Sequence, residues 1–251
     1  MEQFNLAGKV ALVSGCSQGL GYACVLTLAR AGADIFGVSI GDDSALKKEV
    51  EALGRSYHSL TLSLTSPGAI DTLIKEVLST YGHIDILLNF AGIVRKEETL
   101  KITPQTWDSV LDINLKASFF LSQAVIAQYL KQGKGGKIIN ASSILSTLSS
   151  NDYSAYSASK GGIEAMTRFL ANEFSSQDIQ VNAISFGYMT TGTSLQCKED
   201  GAYDPAILER IPAKRWGCYK DVDGLLLLLA SSASNYISGA IIPIDGGYSI
   251  H

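Results

Sequence analysis

The chain has 251 residues, 46% of them hydrophobic and 18% charged, as in a soluble globular protein with a good core. Its net charge is -4, with no basic stripe and no block of like charge, which argues against a nucleic-acid partner. Cys16, Cys24, Cys197 and Cys218 form no Cys-x-x-Cys pair and fit a reducing compartment better than a disulfide framework. The start, MEQFNLAGKV, lacks a basic-then-apolar leader, and the longest apolar run, Leu225 to Ala230, is too short to cross a bilayer. The expectation is a cytoplasmic protein with no membrane partner.

Val10 to Ser14 is a continuous apolar run, as for a strand buried on both faces. It runs into Gly15-Cys16-Ser17-Gln18-Gly19-Leu20-Gly21, and a helical pattern follows from about Leu20 to Ala31. Strand, glycine turn and helix together suit a dinucleotide. Gly15 permits a tight turn, Gly19 lets backbone approach a pyrophosphate, Gly21 allows close packing, and the helix N-terminus favours phosphate. The spacing is Gly-x-x-x-Gly-x-Gly, so a purely structural glycine turn stays open.

Asp34 to Ser39 reads as the second strand. An acidic residue at its end would select NAD and a basic one NADP. Here Ser39 is followed by Asp42 and Asp43 with no Lys or Arg nearby, which leans towards NAD without excluding NADP; alternatively both carboxylates cap the next helix.

Further along, Ser44 to Leu53 is helical and Tyr57 to Leu64 a strand. Pro67 to Tyr81 is a helix with Pro in its first turn, and Ile84 to Asn89 a buried strand before Phe90-Ala91-Gly92. Thr103 to about Lys131 is one long helix containing Asn114, and Lys137 to Asn140 a strand leading to Ser142 and Ser143. Tyr153 to Phe174 is a helix, Ile179 to Ile184 a strand, and Ser185 to Asp204 loop-like. Asp221 to Ala230 is a helix and Ala240 to Ile244 a last strand. This alternation predicts an α/β fold: a single Rossmann-type domain over residues 1–251, with a doubly wound parallel sheet, helices on both faces and the ligand beyond the strands' carboxyl ends.

Tyr156 and Lys160 stand four apart, on one helix face. A tyrosine hydroxyl is inert near neutrality, and an ammonium beside it favours the phenolate. With a serine hydroxyl from another segment, Ser143, the trio suits proton transfer to or from a carbonyl or alcohol oxygen. His58, His83 and His251 are isolated, so no metal site is expected.

Taken together, Gly15, Gly19 and Gly21, Asn89-Phe90-Ala91-Gly92, Asn114, Ser143, Tyr156 to Lys160, Val181-Asn182 and Asp245-Gly246-Gly247 resemble the short-chain dehydrogenase/reductase family over essentially the whole chain. The resemblance implies an NAD(P)-dependent oxidoreductase in which Tyr156 is the acid/base and Lys160 lowers its pKa and binds the nicotinamide ribose. Ser143 would orient the substrate oxygen and Asn114 hold a water in a proton relay. The cofactor would lie on Gly15, Ser17, Gln18, Gly19, Leu20, Gly21, Ser39, Asn89, Ala91, Gly92, Gly187 and Met189, with Tyr156 and Lys160. A homotetramer closed through the Thr103–Lys131 and Tyr153–Phe174 helices is implied as well.

Gly82 to Glu98, Gly135 to Ser146 and Ile211 to Gly217 resemble the members acting at C5 of sugar acids of the 2-dehydro-3-deoxy-D-gluconate or gluconate type. Arg95 would pair with the carboxylate or else be a surface arginine, Tyr188 would line the substrate pocket, and Arg215 and Trp216 lean to packing. Where the family usually has Asn, Asp and Pro, this chain has Phe90, Ser63 and Phe186, which bears on cofactor affinity and substrate. The alternatives are a 3-oxoacyl-carrier-protein or polyol reductase, and a catalytically weak nucleotide-binding regulator.

Overall fold

A computed structural model describes residues 2–190 and 204–250. Cys197, His251 and the expected loop beyond residue 190 lie outside them. Seven described strands form one parallel sheet in the order β3-β2-β1-β4-β5-β6-β7. They are β1 (Val10–Ser14), β2 (Asp34–Ser39), β3 (Tyr57–Thr61), β4 (Ile86–Asn89), β5 (Gly136–Ser143), β6 (Ile179–Phe186) and β7 (Ile241–Ile244).

Alternate residues of each strand feed two cores, because side chains point to opposite faces. Ala11 and Val13 of β1 join α1 (Gly19–Arg30), α2 (Ser44–Ala52) and α8 (Tyr219–Ala230) on one face. Val10 and Leu12 join α3 (Ala69–Tyr81), α5 (Ala117–Gln132) and α6 (Ser154–Phe174) on the other.

Several boundaries depart from the sequence reading, each for a tertiary reason. β3 stops at Thr61 rather than Leu64, level with the end of β2, since Ser39 pairs with Thr61. β4 begins at Ile86 because the Ile84 amide donates to Gln132 Oε1 at 3.0 Å. α3 begins at Ala69, not Pro67, because Gly68 adopts φ 71°, a left-handed conformation that ends helical propagation. β5 and β6 are longer than expected. They pair along eight positions, from Gly136↔Ile179 to Ser143↔Phe186, so Ser185 and Phe186 are strand rather than loop. A short helix, α7 (Pro205–Arg210), was not foreseen; Asp204 caps it through the Ala206 amide.

The long helix expected from Thr103 is not continuous. α4 (Pro104–Leu111) passes into a π-helical turn, Asp112–Lys116, before α5. Such turns recur at functional sites, and this one carries Asn114. By length and apolar composition the run Pro104–Gln132 matches a membrane-crossing helix. In the fold, Leu121, Val125 and Tyr129 of α5 are buried in the second core.

Candidate active site

Every parallel strand ends on the same edge, so the glycine turn after β1, Phe90 after β4, Ser143 closing β5 and Gly187 after β6 meet there. They open onto a cavity of about 490 Å³ whose walls include Leu20, Phe90, Gly92, Ser143, Tyr156, Lys160, Gly187, Tyr188 and Met189. A larger groove of about 680 Å³ along residues 145–152 touches neither Tyr156 nor Lys160.

The cradle end is built by backbone. Gly15 has φ 74°, and a Cβ there would stand 2.7 Å from the Ala91 backbone. At Gly21 a Cβ would meet the Gly15 carbonyl oxygen at 2.2 Å. By contrast, nothing lies within 4 Å of the Cβ position of Gly19, although its φ is 61°. Gln18 precedes α1 in extended conformation without a side-chain cap, so no side-chain acceptor closes the helix N-terminus. An open backbone cradle facing uncapped amides fits a dinucleotide pyrophosphate. Replacing Gly21 with Ala is therefore expected to weaken NADH binding about tenfold or more and to cost about 1–3 kcal/mol of stability, because backbone meets backbone. Gly19→Ala should cost only about 1–2 kcal/mol of left-handed strain. NADH fluorescence titration and thermal melts of both variants check this, and equal binding by the Gly21 variant would contradict it.

The adenosine side differs in detail from the first expectation. Asp42 accepts from the Ser44 amide at 3.1 Å and from its hydroxyl at 3.0 Å, so it serves the start of α2. Asp43 accepts from the Tyr57 hydroxyl at 2.7 Å. Ser39 donates to the Gly41 carbonyl, and Ser17 packs against Gly41, whose Cβ position lies 2.8 Å from Ser17 Oγ. Ser63 sits just past β3, bonded to Thr65. Within the glycine turn, burial pushes the Cys16 thiol up to about 11, so it offers no nucleophile.

Asn89, expected on the cofactor, turns inward instead. Its amide donates to Ser122 Oγ and Asn140 Oδ1, both at 2.8 Å. It ties β4 to β5 and α5, and its role is support for the strand end. Beside it, Ser14 Oγ donates to the Leu88 carbonyl and accepts from the Phe90 and Ala91 amides at 3.1 and 3.2 Å. This buried hydroxyl fixes the turn after β4 against β1, and nothing in its local sequence marks it.

Asn114 is similarly committed. Its Oδ1 accepts from the Ile93 amide at 2.8 Å, and its Nδ2 donates to the Ile93 carbonyl at 2.9 Å and to Ser159 Oγ at 3.0 Å. Its backbone carbonyl accepts from Ser118 Oγ at 3.0 Å.

Ser143 hydrogen-bonds the Tyr156 hydroxyl across the cavity. Burial holds that hydroxyl above its ordinary value, the Ser143 bond pulls it down and Tyr153 adds to the rise. Lys160 is buried, and burial brings its ammonium down to about 8. The Lys160 Nζ donates to the Ala141 carbonyl at 2.6 Å and stands 5.6 Å from the Tyr156 ring centroid. The expected lowering of Tyr156 by Lys160 is thus not met: the ammonium is turned to the Ala141 carbonyl, and burial raises the hydroxyl.

Two departures from the family pattern touch each other. The Phe90 and Phe186 rings meet edge to face with centroids 5.8 Å apart, and both line the cavity beside Leu20. On the far wall, Tyr188 packs against Trp216 at 5.1 Å and bonds Tyr248. Arg215 is clamped to Asp221 by two bonds of 2.6 and 2.7 Å, a packing role. Arg95 is exposed, one residue beyond the lining Val94. Lys96 lies over the Tyr153 ring at 5.8 Å, and Arg210, missed in the sequence, over Tyr248 at 4.6 Å.

A doubly wound parallel sheet with a dinucleotide cradle opening onto a Ser-Tyr-Lys cavity defines an NAD(P)-dependent oxidoreductase. The comparisons agree. A family model described as enoyl-(acyl carrier protein) reductase matches residues 15–249. The 2-dehydro-3-deoxy-D-gluconate 5-dehydrogenase of Escherichia coli (strain K12) is 44% identical over 99% of this chain and 98% of its own. Its namesake in Bacillus subtilis (strain 168) is 40% identical over 98% and 97%. An Agrobacterium tumefaciens structure described as a 2-deoxy-D-gluconate 3-dehydrogenase with bound NADP is 37% identical, with a TM-score of 0.90 over 100% of both chains. The chain belongs to the short-chain dehydrogenase/reductase family.

Proposed function

We propose that this enzyme interconverts a secondary alcohol and a ketone at C5 of a sugar acid of the 2-dehydro-3-deoxy-D-gluconate or gluconate type, with NAD preferred. One observation carries the chemistry: Tyr156, bonded by Ser143, shares a cavity with Lys160 at the mouth of the glycine cradle. The bound nicotinamide supplies or accepts the hydride.

Tyr156, held protonated by burial, gives its proton to the carbonyl oxygen in reduction and recovers it in oxidation. Ser143 holds the same oxygen. Lys160 would hold the ribose hydroxyls of a bound nicotinamide with its ammonium, while Asn114 props Ile93 and α6 around the site rather than presenting a free side chain. Phe90, Phe186 and Met189 exclude water from one wall.

The substrate class is supported by the relatives' names and by the rim. Arg95, Lys96 and Arg210 form no ion pair among the described residues, so three cations stand available to a carboxylate. The lean to NAD rests on the turn between β2 and α2, Ile40-Gly41-Asp42-Asp43, which carries no basic residue. Phe120 on α5 and Phe169 on α6 are exposed, which supports a homotetramer closed through those helices.

Following NADH at 340 nm with 2-dehydro-3-deoxy-D-gluconate and D-gluconate, beside neutral polyols and a 3-oxoacyl thioester, tests the reading. Turnover of a sugar acid with NAD is expected. Activity confined to a polyol or thioester would keep the chemistry and overturn the substrate.

A further inference from the structure

One buried carboxylate lies outside the cavity wall yet touches both segments that make the reacting pair. Glu164 is 4% exposed and sits on α6 one turn beyond Lys160, in the row Tyr156, Lys160, Glu164. Its Oε1 accepts from Ser142 Oγ at 3.0 Å and from Ser146 Oγ. Those serines bracket Ser143: Ser142 precedes it on β5, and Ser146 ends the 3-10 turn Ile144–Ser146 that follows. Ser146 Oγ also lies 2.6 Å from the Ser143 carbonyl oxygen. The second oxygen, Oε2, has a long contact of 3.4 Å with Arg168, whose side chain is largely exposed.

Burying a carboxylate is costly, and apolar packing would fill this space more cheaply. What the carboxylate does achieve is a single rigid link. One oxygen joins the strand end that presents Ser143 to the helix that presents Tyr156. An aliphatic side chain would leave Ser142 only its long 3.5 Å contact with the Lys160 carbonyl, and Ser146 only the Ser143 carbonyl within its own turn, so the turn would lose its tie to α6. Hydrogen-bonded constellations need positional tolerance of about 0.5 Å, and a misplacement of about 1 Å can cost a hundredfold.

We propose that Glu164 is a positioning residue that sets Ser143 against the Tyr156 hydroxyl by clamping Ser142 and Ser146. This rests on the proton-transfer reading of Tyr156 and not on the identity of the substrate.

Glu164→Leu is expected to lower kcat about tenfold to a hundredfold while leaving the NADH dissociation constant unchanged. Glu164→Gln keeps an acceptor oxygen of the same reach and should stay within about threefold of wild type. The pH profile gives a readout that mere stability would not move. The Ser143 bond lowers the Tyr156 hydroxyl, so freeing Ser143 raises it. Alcohol oxidation by the Leu variant should then rise to its plateau at higher pH than in wild type or the Gln variant.

Should the Leu variant not fold, Ser142→Ala combined with Ser146→Ala retains the carboxylate and should show the same loss and the same alkaline displacement. An unchanged kcat and pH profile in either the Leu or the double-serine variant overturns the proposal, as does a Gln variant as impaired as Leu. Tyr156→Phe assayed in parallel separates the two failures. Full activity there sinks the acid role and the positioning role together, whereas its loss with Glu164→Leu intact sinks only the positioning.

Discussion

Replacing Tyr156 with Phe is expected to lower turnover about a thousandfold while leaving nucleotide binding intact. General acid–base catalysis contributes about 10²–10⁴-fold, and Phe removes the transferable proton without emptying the volume of the ring. The edge contact with Tyr153, centroids 6.4 Å apart, and the cavity wall remain. Steady-state kinetics beside NADH titration checks it, and undiminished turnover would remove Tyr156 from the chemistry.

The same residue sets the pH dependence. Burial raises its hydroxyl, so the phenol is the dominant form at neutral pH. Ketone reduction uses that form and should be flat from about pH 6 to 8, while alcohol oxidation needs the phenolate and should climb about tenfold per pH unit. A reduction rate already falling between those values would place the hydroxyl below its ordinary value and contradict the burial argument.

Lys160→Met is expected to separate stability from activity. The buried ammonium titrates at about 8 in the folded chain against 10.5 as its ordinary value. Below pH 8 the folded state therefore carries the whole cost of holding the charge, about 3 kcal/mol at 1.36 kcal/mol per pH unit. Between about 8 and 10.5 the unfolded chain binds the proton and the folded chain does not, so wild-type stability rises with pH and the cost fades. Met fills similar volume without charge and leaves the Ala141 carbonyl unpaired, which returns about 1–3 kcal/mol. At pH 7 the variant should melt at or above the wild-type temperature, and that difference should move against the variant by pH 10. Turnover should fall about a hundredfold or more, since the group that would hold the ribose is gone. Melts at both pH values with kinetics at pH 7 check the pair. A variant several degrees less stable at pH 7 would show instead that the ammonium is structural.

The departures at Phe90 and Phe186 look unrelated in the chain, 96 positions apart, yet their rings touch at the cavity wall. They replace polar or rigid residues by one apolar surface at the cavity wall. With Ser143, Tyr156 and Lys160 gathered in one cavity, the fold supports an enzyme over a nucleotide-binding regulator.

Local sequence determined what depends on local period and spacing. β1 at Val10–Ser14 and β2 at Asp34–Ser39 match their apolar runs to the residue. The four-residue step from Tyr156 to Lys160 places both on one face of α6, and the alternation of strands and helices requires the parallel sheet. Tertiary structure decided whatever needs a partner distant in the chain. Asn114 is pinned to Ile93, and the helix takes a π turn there. Asn89 turns from the cofactor edge to Asn140 because a buried amide must find its bonds in the neighbouring strand. The pairings Ser142↔Ser185 and Ser143↔Phe186 extend β5 and β6 to the site because each strand supplies the other's ladder. Lys160 points to the Ala141 carbonyl, and Glu164 to Ser142 and Ser146, because burial forces each charge onto the nearest donor or acceptor. A period of residues along one segment carries no information about those meetings; only the closed sheet brings the groups within bonding distance.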